Sequence, residues 1–206
     1  MYKSRWQHPE ILLLMMAAAV PISFSAWNAL LNNFAIERTV LTGKEMGLLQ
    51  SLREIPGFLA FGVVFLLLLI REQSLALIAL LLLGIGTALT GFFPSVIGLY
   101  LTTVLMSLGF HYYETLQTSL ALQWIEPEKT AETLGRLIAV GSMAAIVTFL
   151  LIWLADHLLQ LDYRWMHLCF GGMTALIALA AWTLFPKFPQ QHKIPYHRRN
   201  RYVYKN

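Results

Sequence analysis

The sequence predicts an all-α membrane protein with six transmembrane helices. Six long apolar stretches occupy most of the 206 residues, and short polar joints separate them. A helix rises about 1.5 Å per residue, so about 20 apolar residues cross the hydrocarbon core of a bilayer. Charged residues make up 13% of the chain, whereas soluble domains carry roughly 25%. We therefore expect an integral membrane protein embedded in the lipid bilayer rather than a soluble helical domain.

Prolines punctuate the predicted spans. The apolar blocks cover residues 11–31, 47–70, 74–93, 95–122, 134–159 and 165–185, between an N-terminus over 1–10 and a basic tail over 186–206. Pro94, Pro127 and Pro186 stand in the joints, and proline is tolerated at helix ends. A cleaved signal peptide is the alternative for the first block, but the block is long for the apolar region of a signal.

The distribution of lysine and arginine predicts that both termini are cytoplasmic, in a plasma or inner membrane. Cytoplasmic loops of membrane proteins carry the excess of these residues. One side would hold Lys3, Arg5, Arg71, Lys129, Arg136 and the tail cations, and the other Arg38, Lys44 and Arg164. This clustering beside membrane helices explains the net charge of +4 without a nucleic-acid partner.

The fourth span carries a polar stripe. Its members recur every three or four residues, the period of one helical turn: Tyr100, Thr103, Ser107, His111, Glu114 and Thr118. Tyr113 and Gln117 flank the stripe. Polar groups are costly in lipid, so this face should meet water or protein.

His111 and Glu114 lie one turn apart, close enough to interact. An imidazole beside a carboxyl group can load and release a proton, which makes the pair a candidate substrate or proton site. The alternatives are a structural polar pair inside the bundle and a position near the cytoplasmic headgroups.

The first span carries a shorter stripe. Pro21, Ser25, Asn28 and Asn32 recur at helical spacing, and Trp27 lies beside them. Hydroxyl groups alone would indicate helix packing, because they can bond their own backbone.

The second span contains Arg53 and Glu54 in its first turns. Glu54 shares a face with Gly47, Gln50 and Gly57. Adjacent residues point about 100° apart on a helix, so the two charges are not expected to face one partner. Arg53 is expected to extend towards the outer headgroups.

Two segments indicate an internal repeat. In Thr42–Leu49 and Thr130–Leu137 the threonine, the glycine and one leucine coincide, and each leads into the middle span of a triplet. Three helices are an odd number, so the two triplets should be inverted relative to each other, as in many transporters. Small residues in the third, fifth and sixth spans predict close helix packing.

The stretch Leu105–Ile146 resembles the fourth span, cytoplasmic joint and fifth span of the major facilitator superfamily. The matching positions are Gly109, Trp124, Pro127, Glu128, Gly135 and Arg136, and Leu41–Leu49 is similar to the family's approach to the second span. The chain as a whole resembles the N-terminal six-helix half of such a transporter. It departs from the family in the short joint Arg71–Gln73, where a longer gating loop is expected, and in Leu105, where drug antiporters carry arginine.

The resemblance implies solute transport by alternating access, with proton coupling as an option. The first and fourth spans would line a cavity, the second and fifth would move, and the third and sixth would face lipid. Substrate or proton candidates are Trp27, Asn28, His111, Tyr113, Glu114 and Gln117, and gating or structural candidates are Arg53, Glu54 and Arg136. Transport would require a homodimer or a second half, and no cofactor, metal or catalysis is expected.

Two other functions are open. One is a membrane scaffold or assembly subunit without transport. The other is an intramembrane hydrolase, for which Ser142 and His167 are the candidate nucleophile and base, although the two residues fall at different depths in the membrane. No His-Glu-x-x-His zinc motif occurs. Cys169 is the one cysteine, which excludes an internal disulfide, and it is expected to be buried.

Overall fold

The computed structural model describes residues 7–189, so Lys3, Arg5 and the tail cations beyond Lys187 lie outside the described range. Within it the chain is helical and contains no strand. The helices are α1 (Pro9–Phe34, continued by a π-helical turn Ala35–Thr39), α2 (Gly43–Phe58, continued by a 3-10 turn Leu59–Gly62 and by Val63–Leu66), α3 (Glu72–Thr90), α4 (Val96–Trp124), α5 (Pro127–His157) and α6 (Tyr163–Leu184). These six described helices are long and apolar enough to cross a membrane, so the chain is an integral membrane protein.

Three of the six described helices begin at a polar cap, and α5 begins at a proline, rather than at the first apolar residue. Thr42 opens α2 with a capping box: its side chain accepts from the Glu45 amide, and its own amide donates to the Glu45 carboxylate at 2.8 Å. Ser95 caps α4 by accepting from the Gly98 amide at 3.1 Å. Pro127 begins α5 well ahead of residue 134, where its apolar block starts.

The second span ends earlier than its hydropathy predicts. Pro56 lies inside α2, where it removes a backbone donor, and the helix tightens into a 3-10 turn from Leu59. Helical geometry stops at Leu66, and residues 67–70 form turns.

The helix contacts stay the same when α1, α2 and α3 are exchanged with α4, α5 and α6. α2 packs on α4 as α5 packs on α1, and α3 packs on α4 as α6 packs on α1. α3 and α6 pack on each other, and so do α1 and α4. These are the contacts expected if α1–α3 and α4–α6 are equivalent triplets of opposite orientation.

A reciprocal glycine contact lies at the centre of this arrangement. A Cβ on Gly84 of α3 would come within 2.7 Å of the Gly171 carbonyl and of the Ala175 amide on α6. A Cβ on Gly171 would in turn meet the Gly84 carbonyl and the Ala88 amide. Each glycine therefore contacts its counterpart and the residue one turn beyond it, so α3 and α6 touch backbone to backbone.

The expectation that the third span faces lipid is wrong. Most of α3 is buried, whereas few residues of α2 and α5 are. The reason is that glycines bring neighbours to both sides of α3: Gly84 admits α6, and Gly109 of α4 lies against the backbone of Ala79 and Leu83. Exposed apolar side chains instead cover α2 with its continuation and α5, among them Phe58, Phe61, Phe65, Ile138 and Ile146.

Candidate functional site

A polar cluster joins α1, α2 and α4 inside the bundle; its members are Asn28, Arg53, Glu54 and His111. Arg53 lies at its centre, with Nε 2.9 Å and Nη2 2.8 Å from Oε1 of Glu54. Its Nη1 donates to the side-chain oxygen of Asn28 at 3.4 Å. The guanidinium also lies 6.0 Å from the centre of the Trp27 ring, within cation–π range.

His111 connects the polar cluster to α4. Its Nε2 lies 4.0 Å from Oε2 of Glu54. Gly57 makes room for the imidazole, because a Cβ there would lie 3.1 Å from the ring. One turn earlier on α4, the Ser107 hydroxyl donates to the Arg53 carbonyl. α2 and α4 are therefore tied by both side-chain and backbone groups.

The expectation that Arg53 extends to the headgroups is wrong. Arg53 and Glu54 do reach different helices, at Asn28 on α1 and His111 on α4, as expected, but they also form an ion pair with each other. The Arg53 side chain is 27% exposed and turns inward to Asn28. The rule for adjacent helical residues describes Cβ directions, but long side chains can bend back over one turn. Glu54 is more open, with 49% of its side chain exposed.

His111 and Glu114 interact electrostatically across one turn of α4, as predicted, but they form no hydrogen bond or ion pair with each other. His111 turns towards Glu54 on α2. Glu114 is exposed on α4 and makes no hydrogen bond or ion pair within residues 7–189. Gln117 is partly exposed one turn beyond Glu114. The stripe on α4 thus splits into a part packed on α2 and a part on the open face.

The two aromatic candidates are core residues. Trp27 and Tyr113 are completely buried, and among residues 7–189 neither the indole N–H nor the phenol O–H has a hydrogen-bond partner. Trp27 still adjoins the polar cluster through Arg53, whereas Tyr113 belongs to the apolar core. A contact that sequence reasoning missed lies nearby: the rings of Phe24 on α1 and Phe110 on α4 stack with centroids 4.0 Å apart. Both residues look like ordinary apolar positions, so no sequence signal marks them.

Arg136 lies apart from the polar cluster, at the start of α5. Its guanidinium bridges Glu10 of α1 at 2.9 Å and Glu132 of its own helix at 2.6 Å. It therefore ties the first turn of α1 to the third turn of α5.

The structure does not bring the hydrolase candidates together. Ser142 is exposed on α5, while His167 is completely buried, with its Nδ1 2.8 Å from the Tyr163 carbonyl and its ring 5.3 Å from that of Phe34. Cys169 is exposed on α6, contrary to expectation, because that face of the helix points away from the bundle. In the described part of the chain no group of three His, Cys, Asp or Glu side chains could hold a metal ion.

No family model matches the sequence, and no curated protein matches it. Solved structures do. The POT family transporter PepTSo superposes with a TM-score of 0.63 at 15% identity, covering 93% of this chain and 41% of that chain. An auto-inhibited POT family peptide transporter gives a TM-score of 0.62 at 19% identity, covering 91% of this chain and 39% of that one. The chain spans about two fifths of the length of these transporters, and within that part it has their fold.

Proposed function

We propose that this chain is a six-helix half of a transporter of the major facilitator type, which moves a small solute by alternating access. The observation that carries the proposal is the polar cluster on α1, α2 and α4. Arg53 lies about 15 Å along α2 by the helical rise, well inside the span. Charged groups at such depth are costly and mark substrate or ion pathways. The fold shared with POT transporters supports this interpretation.

The candidate residues take distinct roles in this proposal. Asn28 and His111 would contact the solute or proton at the polar cluster, and Glu114 and Gln117 would do so from the open face of α4. Trp27 and Tyr113 would support the cluster from the core. Arg53 and Glu54 would form a gating pair, since their ion pair spans the α1, α2 and α4 junction. Arg136 would hold α1 and α5 together at one end.

A second six-helix unit is part of the proposal. Glu54, Glu114 and Thr118 are exposed on neighbouring helices at membrane depth, and lipid tails cannot satisfy them. A second copy of this chain or a separate half would cover that face and leave an aqueous cavity between the units. The scaffold alternative differs in one respect: the neighbour would fill the face permanently, with no cavity.

Both termini would be cytoplasmic, in a plasma or inner membrane. The described cations Arg71, Lys129 and Arg136 lie at one end of the bundle by helix order, and Arg38, Lys44 and Arg164 at the other. Reporter fusions at the two ends of the chain, active only inside the cell, would test this.

Reconstituted transport is the decisive test. The full chain would be placed in proteoliposomes holding a pH-sensitive dye and challenged with di- and tripeptides, because the structural neighbours are peptide transporters, and then with amino acids and sugars. We expect uptake of at least one class, lost in Arg53→Gln and kept in Lys44→Gln, which removes an exposed cation at the start of the same helix. Absence of uptake of every solute by the wild type would contradict transport and favour the scaffold, and equal uptake by wild type and Arg53→Gln would show that the polar cluster takes no part in transport. Unchanged proton movement in Glu114→Gln would exclude a proton role for Glu114.

A further inference from the structure

Two chambers lie end to end between α1, α5 and α6, on the side of α1 away from α2. The outer chamber, of about 610 Å³, lies where α1 ends and α6 begins, and the inner chamber, of about 330 Å³, lies deeper between the same helices. Along α1 the lining passes from Ala18 and Ile22 in the inner chamber to Asn33 and Arg38 in the outer one. The helical rise gives the whole groove a length of roughly 30 Å.

The inner chamber is apolar. Its walls include Ile22, Val147, Leu151, Phe170 and Met173. Thr148 also lines it, but the hydroxyl of that residue donates to the Ala144 carbonyl at 2.8 Å, so no polar group is left for a ligand. A chamber of this kind between membrane helices suits a hydrocarbon chain.

The outer chamber is charged. Arg38 binds Asp162 through Nη2 at 2.7 Å, which leaves its Nε and Nη1 without a hydrogen bond among the described residues. Glu37 accepts from the Tyr163 hydroxyl at 3.0 Å. Asp156 is a third carboxylate in the lining, with His157 3.5 Å away. The lining therefore holds one arginine and three carboxylates, a set that attracts a cation while keeping one site for an anion.

The apolar inner chamber and the charged outer chamber follow each other in the same order as the acyl chain and the headgroup of a phospholipid. Guanidinium groups bind phosphate in a planar, forked geometry. An ammonium group offers three donors, which suits the carboxylates beside the arginine. Trp153 and Tyr163 line the outer chamber, and such aromatic side chains are typical of the level of lipid headgroups.

We propose that this groove binds a phospholipid with a phosphoethanolamine headgroup. One acyl chain occupies the inner chamber, the phosphate lies at Arg38, and the ammonium lies between Glu37 and Asp156. A purely anionic headgroup is disfavoured by the excess of carboxylates, and a choline headgroup cannot donate hydrogen bonds to them.

Lipid retention by the intact chain tests the proposal. The full-length protein would be reconstituted in vesicles of equal parts phosphatidylethanolamine, phosphatidylcholine and phosphatidylglycerol, extracted in mild detergent, and analysed by native mass spectrometry. We expect phosphatidylethanolamine to be retained roughly tenfold over either competitor, the size expected for one charge-assisted contact. Equal retention of the three lipids, or preference for another one, would overturn the proposal without any variant.

Paired variants assign the retained lipid to the groove. Arg38→Gln should lower retention roughly tenfold, and Arg164→Gln, an exposed arginine outside the lining, should not. Val147→Trp should fill the inner chamber and displace the lipid, whereas Leu150→Trp, exposed on the same helix and outside the lining, should leave it bound. Each variant would first be shown to be monodisperse and helical. Wild-type retention in Val147→Trp would place the lipid elsewhere and contradict the assignment.

Discussion

The side chain of Arg53 on α2 turns into the bundle, where its Nη1 lies 3.4 Å from the side-chain oxygen of Asn28 on α1. The same guanidinium is paired with Glu54 one residue along the chain, and Glu54 in turn lies 4.0 Å from His111 on α4. The ion pair thus lies where three helices meet. If these helices rearrange during a transport cycle, this contact must change with them.

Removing one charge of the pair should destabilise the protein more than removing both. Arg53→Met leaves the Glu54 carboxylate without its partner, and we expect a loss of about 1–2 kcal/mol in the free energy of unfolding, moderated by the partial exposure of both side chains. Arg53→Met combined with Glu54→Gln should recover most of that loss. Thermal unfolding in detergent of Arg53→Met, Glu54→Gln and the double variant would measure the interaction energy of the pair. Purely additive losses of stability would show that the ion pair contributes nothing.

The glycine contact between α3 and α6 should be sensitive to a single methyl group. Gly171→Ala would place a Cβ against the Gly84 carbonyl and the Ala88 backbone, forcing the two helices apart, and we expect about 1–3 kcal/mol of destabilisation. Gly172→Ala is the matched control, because nothing lies within 4 Å of a Cβ at that position. The control should be neutral or stabilising by up to ~1 kcal/mol, since alanine favours helix. Equal melting temperatures for the two variants would contradict this close packing.

The segment after α6 should become cleavable when Gln73 is removed. The Gln73 amide donates to the Pro186 carbonyl at 3.0 Å and accepts from the Phe188 amide at 2.8 Å, and it thereby holds both neighbours of the exposed Lys187. Gln73→Ala loses two hydrogen bonds of about 1 kcal/mol each. We expect trypsin to cut after Lys187 roughly 5–30 times faster, with Gln50→Ala as control. Mass spectrometry of the fragments would identify the cleavage site. An unchanged rate would show that the buried Phe188 ring and the hydrogen bond from Arg71 to the Phe188 carbonyl hold the segment without Gln73.

The joint between α4 and α5 should make the stability of the fold slightly dependent on pH. A hydrogen bond from Lys129, and next its charge, lower the pKa of Glu126 below its usual value of 4.5. A carboxyl group whose pKa is lowered by folding stabilises the fold above its unfolded pKa, and this contribution is lost as the pH falls below 4.5 through the folded pKa. Glu126→Gln should therefore lower the melting temperature slightly at neutral pH and not at acidic pH. A difference that persists unchanged below that range would point to another role, such as the position of Glu126 at the start of α5.

The sequence by itself determined that the chain is an all-α membrane protein with six spans. Hydropathy over about 20 residues reflects the thickness of the bilayer, which is a local property that needs no knowledge of contacts. Helical spacing likewise identified polar faces on α1 and α4, because the 3.6-residue period is local too. The capping box at Thr42 and the proline at the first position of α5, Pro127, could also be recognised in advance as helix-start signals.

Only the tertiary structure decided which polar groups meet. His111 reaches Glu54 because Gly57 opens a space for the imidazole on α2, and a spacing rule within α4 cannot report a space on another helix. Arg53 turns inward because Asn28 and Trp27 of α1 are there to receive it. α3 is buried because Gly84 and Gly109 admit α6 and α4 on its two sides. Local periodicity predicts which faces are polar or small, but the pairing of those faces depends on helix crossings that no single segment encodes.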